Sequence, residues 1–201
     1  MSSLEVWDWR RRMFALYAQV RNHADPLVAH ALWVKGRDEL LQTHPASPVP
    51  AALRPGYPGA VVAPYDPDFR LVVPIDRNVD PERRELVTAT DGVVPFDRIG
   101  RVHLGDLGSL DVWWLGSYGG GLFLPFRDRA PRSYGGGRYL LDTVKGADLG
   151  GDPEALVVDL NFAYQPSCAY DEAWVCPLPG PGNTLEVEVV VGEQHVEGDA
   201  R

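Results

Sequence analysis

From Gly59 onward, glycines and prolines cut the chain into short apolar runs, and that punctuation leaves room for strands and turns but for no long helix. "FRLVVPID" reads as one strand. "RELVTA" and "VVPFDRIGRVHL", separated by Thr90-Asp91-Gly92, read as a hairpin, because Asp-Gly supplies the positive φ of a tight turn. "LDVWWLG" and "LFLPF" flank "SYGGG" as a second hairpin, with adjacent Trp113 and Trp114 pointing to opposite faces. "RYLLDTV" and "ALVVDLNFAY" follow. In "TLEVEVVVG", Leu185, Val187, Val189 and Val191 alternate with Glu186 and Glu188, the pattern of a half-buried strand. Short strands at this spacing predict a strongly bent antiparallel sheet or a small β-barrel.

Two helices precede the strands. Val6, Trp9, Met13, Leu16, Tyr17 and Val20 recur at helical spacing between Leu4 and Asn22. Asp25-Pro26 is an N-cap followed by proline at the first helical position, and the helix it opens is expected to bury Leu27, Ala31, Val34, Leu40 and Leu41. The expected fold class is α+β: a helical hairpin (4–43), a proline-rich connector laid over the surface (44–59) and an antiparallel β region (60–201). The 201 residues form one domain, since 43 residues are too few to stand alone.

Charge narrows the partners. The net charge is −9, which argues against nucleic acid. No apolar run is long enough to span a bilayer and no signal-peptide pattern opens the chain, so the expected location is cytoplasmic, without a membrane partner. Residues 127–138 are the exception to the acidity, carrying 4 arginines and 1 aspartate, whereas residues 142–201 carry 12 acidic and 2 basic residues. A basic island in an acidic chain is where a small anionic partner belongs.

Within that island, Gly135, Gly136 and Gly137 free the backbone to form a nest of N–H groups, with Arg127 and Arg138 as charged donors and Ser133, Tyr134 and Tyr139 as hydroxyls. The competing reading is a tight turn beneath a sheet. A second polar run leaves the predicted strand 155–164, where Val157, Asp159 and Asn161 share one face opposite Leu160 and Phe162. Asp159, Asn161, Tyr164, Cys168 and Tyr170 complete the candidate binding site. Cys168 and Cys176 lack the companions of a zinc site, and nothing near them in sequence lowers a thiol pKa, Asp171 and Glu172 acting the other way. They read as small buried residues, with a short-loop disulfide also compatible. The leading function is binding of a phosphate- or carboxylate-bearing small molecule. An enzyme holding flavin mononucleotide by its phosphate is the alternative, and a structural or partner-binding protein the third reading.

The blocks "GLFLPFRDRAPRSYGGGRYLLD" and "DLNFAYQPSCAYDEAWVCPLPGPGNTLEVEVVVGE" resemble the bacterial and archaeal family named domain of unknown function 1684, and "YDPDFRL" and the helix pair fit it too. The resemblance implies a cytoplasmic single-domain protein of about this length and carries no activity.

Overall fold

The computed structural model describes residues 1–88, 92–116 and 118–196. Thr90, Asp91 and Ser117 of the two expected turns lie outside them.

Helix α1 spans Ser3–Asn22, opened by a capping box in which the Ser2 hydroxyl accepts from the Glu5 N–H. Helix α2 spans Pro26–Thr43, with the Asp25 carboxylate accepting from the Leu27 N–H and Pro26 in the first turn. Met13, Leu16, Tyr17 and Val20 of α1 are buried as its period requires. The buried stripe of α2 is rotated from the expected one. Ala29, His30, Trp33, Arg37, Leu40 and Leu41 face inward, while Leu27 is exposed. The rotation has a polar cause: His30 Nε2 meets the Asn161 carbonyl at 3.0 Å and Arg37 pairs with Glu193, so two nominally hydrophilic residues have interior partners. Trp33 Nε1 donates to the Tyr17 hydroxyl at 3.1 Å and ties the helices together.

Seven strands occur among the described residues: β1 (Arg70–Val73), β2 (Arg83–Thr88), β3 (Gly92–His103), β4 (Ser109–Leu115), β5 (Gly121–Phe126), β6 (Arg138–Asp142) and β7 (Leu156–Asp159). β2 to β6 form an antiparallel sheet in chain order, and β1 pairs with β7 in a separate two-stranded ribbon. The larger sheet is open, so of the two expected forms the bent sheet holds and the barrel does not. Register shifts between Arg98 and Gly100 and between Leu124 and Pro125 bend it, the second where a proline cannot donate to the ladder.

Both faces of this sheet are covered. Leu110, Val112, Leu124, Phe126 and Leu140 join the helices in the main core, while Trp113, Leu115, Phe123, Tyr139 and Phe96 form a second cluster. Trp113 and Trp114 do point oppositely, Trp113 buried and Trp114 exposed.

Two expected strands differ. The strand from Leu156 stops at Asp159, because its carboxylate accepts from the Asn161 N–H at 3.1 Å and starts a 3-10 turn, Leu160–Phe162. Asp159 and Asn161 therefore do not share a strand face. Residues 185–193 form no strand, although Leu185, Val189 and Val191 are buried and Glu186 and Glu188 exposed, as the alternation requires. The first of these residues bond to the backbone of Arg127 and Arg129. Beyond them a guanidinium takes the place of a strand partner: Arg138 donates to the carbonyls of Val189 at 2.8 Å, Val191 at 2.5 Å and Glu193 at 3.3 Å. The connector is also more than a surface strap, since Ala46, Ser47 and Val49 are buried and Val49 packs with Leu41 and Tyr170.

Candidate functional site

The basic island does not gather its arginines into a pocket. The Arg138 and Asp128 side chains are each 1% exposed and pair at 2.8 Å. The same Asp128 carboxylate accepts from the Ser133 hydroxyl at 2.8 Å and from the Ala130 N–H at 2.8 Å. Arg138 was expected to hold a ligand; its outer nitrogens are instead occupied by the protein's own acceptors, Asp128 and the carbonyls of Val189, Val191 and Glu193. Arg127 joins the fold through its backbone, donating to the Asn183 carbonyl at 2.8 Å, and its Nε is buried without an acceptor among the described residues. Arg129 pairs with Glu186 at the surface, and Arg132 is exposed.

The triple glycine is a turn in which the Gly137 N–H donates back to the Tyr134 carbonyl at 2.8 Å. Gly137 has φ +85°, and a Cβ there would stand 2.7 Å from the Phe126 carbonyl oxygen. A Cβ on Gly136 would strike the Tyr134 ring, whereas one on Gly135 would meet open space. The segment is thus the tight turn of the competing reading, set by Gly137.

Asp159 and Asn161 lie elsewhere, against β1 and the 3-10 turn Pro67–Phe69. Asn161 is fully buried; its amide donates to the Asp66 carbonyl and to Asp159 Oδ1, both at 2.8 Å, and its oxygen accepts from the Asp66 N–H at 2.8 Å. Burial raises the Asp159 pKa, opposed by these bonds, by the Tyr65 hydroxyl at 3.2 Å and by Arg70.

Two of the remaining expected residues lie on a cavity of about 380 Å³ between the helical hairpin and the second cluster of the sheet. Trp9, Met13, Phe96, Leu115 and Phe123 give it apolar walls, and Tyr139 and Tyr164 line it. Those two are paired through their backbones, each N–H donating to the other's carbonyl, which seals the outer edge of β6. Tyr170, Tyr134 and Cys168 are not among the residues that line the cavity. The Tyr170 hydroxyl donates to Glu193 and accepts from Arg37 Nη2 at 3.0 Å. The Tyr134 hydroxyl lies 3.4 Å from the Cys168 carbonyl.

Four further groups on this cavity were not expected from the sequence. Arg37, 6% exposed, reaches it between the rings of Trp33, Tyr164 and Tyr170. Burial opposes its charge, but Glu193 at 2.9 Å and Tyr170 outweigh that and hold it protonated. Its Nη1 is buried and has no acceptor among the described residues. Asp142 is 4% exposed with Lys145 Nζ 3.7 Å away, and burial raises its pKa against the pull of Lys145 and Arg10. Cys176 Sγ accepts from the Cys168 N–H at 3.3 Å, and its pKa is pulled down to about 6 by the neighbouring Cys168 thiol first and then by that N–H, with Lys145 and Tyr139 adding to the effect. The cysteines are half-buried rather than buried. The expectation that nothing near them in sequence lowers a thiol pKa is corrected first of all by the other cysteine, eight residues away, with Lys145 and Tyr139 adding from farther along the chain. No sequence signal singled out Arg37, because the expected apolar stripe of α2 did not include it.

The chain is therefore an α+β protein with an amphipathic cavity between its helical hairpin and an open antiparallel sheet. Residues 56–194 match the family described as protein of unknown function (DUF1684), and the chain belongs to it. A solution structure of an uncharacterised protein from Haloarcula marismortui is similar, with 30% identity and a TM-score of 0.57 over 80% of this chain and 89% of that one. No curated protein matches. No helix among the described residues is long and apolar enough to cross a membrane.

Proposed function

We propose that the protein binds a small carboxylate-bearing molecule in the cavity between α1, α2 and the sheet. The observation that carries this is Arg37, a buried guanidinium lining the cavity whose Nη1 has no acceptor among the described residues. An unmade bond to a buried donor costs about 1–3 kcal/mol, which a ligand oxygen recovers on binding. The surrounding charge agrees. Arg10, Arg37 and Lys145 line the cavity against one carboxyl, Asp142, whose raised pKa favours its neutral form. The aromatic and aliphatic walls fit an apolar ligand body, and few polar groups converge on it, the usual composition of a small-molecule site. Tyr139 and Tyr164 are the residues of the sequence-derived site that this reading keeps in contact with the ligand. A flavin phosphate has less support, since Arg129, Arg132 and Arg138 of the island do not line this cavity.

The test is thermal denaturation with a panel of aromatic and branched aliphatic carboxylates, each beside its primary amide. A ligand at about 100 times its Kd adds about 2.7 kcal/mol of stability. The expected result is stabilisation by carboxylates, weaker for the amides, and abolished in Val94→Trp, which fills the cavity mouth. Stabilisation that survives in Val94→Trp, or none by any carboxylate, overturns the proposal.

A further inference from the structure

Cys168 and Cys176 bracket one wall of the cavity: Ser167, Trp174, Val175, Cys176 and Pro177 all line it. Cys168 sits in the 3-10 turn Ser167–Ala169, which aims its N–H at Cys176 Sγ. That sulfur is 3.3 Å from the Cys168 nitrogen, which places the two cysteine side chains side by side. The surroundings of the two thiols differ. Cys176 receives the Cys168 N–H, and the Cys168 thiol, Lys145 and Tyr139 all favour its charged form. Cys168 Sγ has no such N–H donor among the described residues and accepts only from the Tyr134 hydroxyl, at 3.9 Å. Donors and a cation around one sulfur favour the thiolate there, and a protonated neighbour in contact with it is placed to resolve what it forms.

We propose that Cys168 and Cys176 are a reversible dithiol–disulfide pair on the cavity wall, with Cys176 the thiol that reacts first with a peroxide. The Cys176 thiolate attacks a peroxide oxygen; the S–O bond forms, the O–O bond breaks, and the leaving hydroxide takes a proton to become water. Cys168 then loses its proton and attacks the Cys176 sulfur; the S–S bond forms, the S–O bond breaks, and a second water leaves. Two thiols are oxidised and one hydrogen peroxide is reduced to two waters. A dithiol reductant returns the pair. The disulfide ties Cys168 to the Cys176 wall, so oxidation fixes a segment that is otherwise held there by a sulfur–amide bond. This inference stands on the cysteine geometry alone and does not depend on the ligand proposed above.

The reduced full-length protein is treated with equimolar hydrogen peroxide and followed by intact mass and peptide mapping. The expected product is monomeric, lighter by two hydrogens, linked between residues 168 and 176, and restored by dithiothreitol. Cys168→Ser under peroxide and dimedone is expected to carry its adduct on Cys176, while Cys176→Ser leaves Cys168 largely unmodified. Melting curves verify that each variant is folded. Where either is not, iodoacetamide alkylation of the reduced wild type is mapped in time, with Cys176 expected to label first. Unchanged mass after excess peroxide, a disulfide between two molecules, or Cys168 reacting ahead of Cys176 overturns the proposal.

Discussion

Replacing Arg138 with alanine separates a structural arginine from a ligand-binding one, and its cost can be worked from the contacts. The variant leaves Asp128, 1% exposed, without its cation, and breaking a buried pair from one side costs about 3–5 kcal/mol. Asp128 keeps the Ser133 hydroxyl and the Ala130 N–H, so the lower end, about 3 kcal/mol, applies. The Val189 and Val191 carbonyls lose the donor that stands in for a strand, at about 1 kcal/mol each if water enters the void. The expected loss is about 5 kcal/mol, the whole stability of many domains of this size. Urea denaturation measures it, with Arg132→Ala as the exposed control, expected within about 0.5 kcal/mol of wild type. If Arg138→Ala is unfolded, Arg138→Met with Asp128→Asn removes both charges and is expected to lose less than the two single changes together, by more than about 2 kcal/mol. A loss below about 1 kcal/mol for Arg138→Ala would show that residues 189–193 do not need this guanidinium and would refute the reasoning.

Two further outcomes follow from single contacts. Gly135→Ala meets open space and is expected to be neutral or slightly stabilising, whereas Gly137→Ala forces a Cβ at φ +85° against the Phe126 carbonyl and costs about 2 kcal/mol or more; equal melting temperatures for the two contradict a turn set by Gly137. Asp142 has a folded pKa raised above its unfolded value near 3.8, so its contribution is fully present below that pH and is lost as pH rises through the folded pKa. Asp142→Asn is therefore expected to gain on wild type between about pH 3 and neutrality, measured by urea midpoints across pH. Parallel stability curves for the two proteins count against a desolvated carboxyl at the cavity.

Where one residue's local chemistry decides the outcome, the fold is legible in the sequence. Asp25-Pro26 opens α2, the alternation through residues 185–191 predicts which side chains are buried, and adjacent tryptophans do diverge. The failures share one cause, a polar group whose partner lies far along the chain. The alternating segment at 185–193 is not a strand because Arg138, more than fifty residues earlier, caps its carbonyls. The α2 stripe is rotated because His30 and Arg37 find Asn161 and Glu193. Periodicity assigns arginine and histidine to the outside by transfer cost, and that cost reverses once a partner satisfies the buried group.

The same physics relocates the site. A basic cluster in sequence suggests free positive charge, yet in the interior a guanidinium is retained only where acceptors meet it, and Arg138 is saturated on both outer nitrogens. Arg127 and Arg138 each leave Nε without an acceptor among the described residues, but neither lines the cavity. The informative arginine is the one that is a bond short and lines it. Arg37 spends Nη2 on Glu193 and Tyr170 and keeps Nη1 for the cavity. A buried cation that is paired for stability and still one bond short is poised for a ligand oxygen without an uncompensated charge in the empty protein. An unmade bond on a residue that lines a cavity, rather than a cluster of charges in sequence, is therefore what moves the candidate site from the glycine loop to the seam between the helices and the sheet.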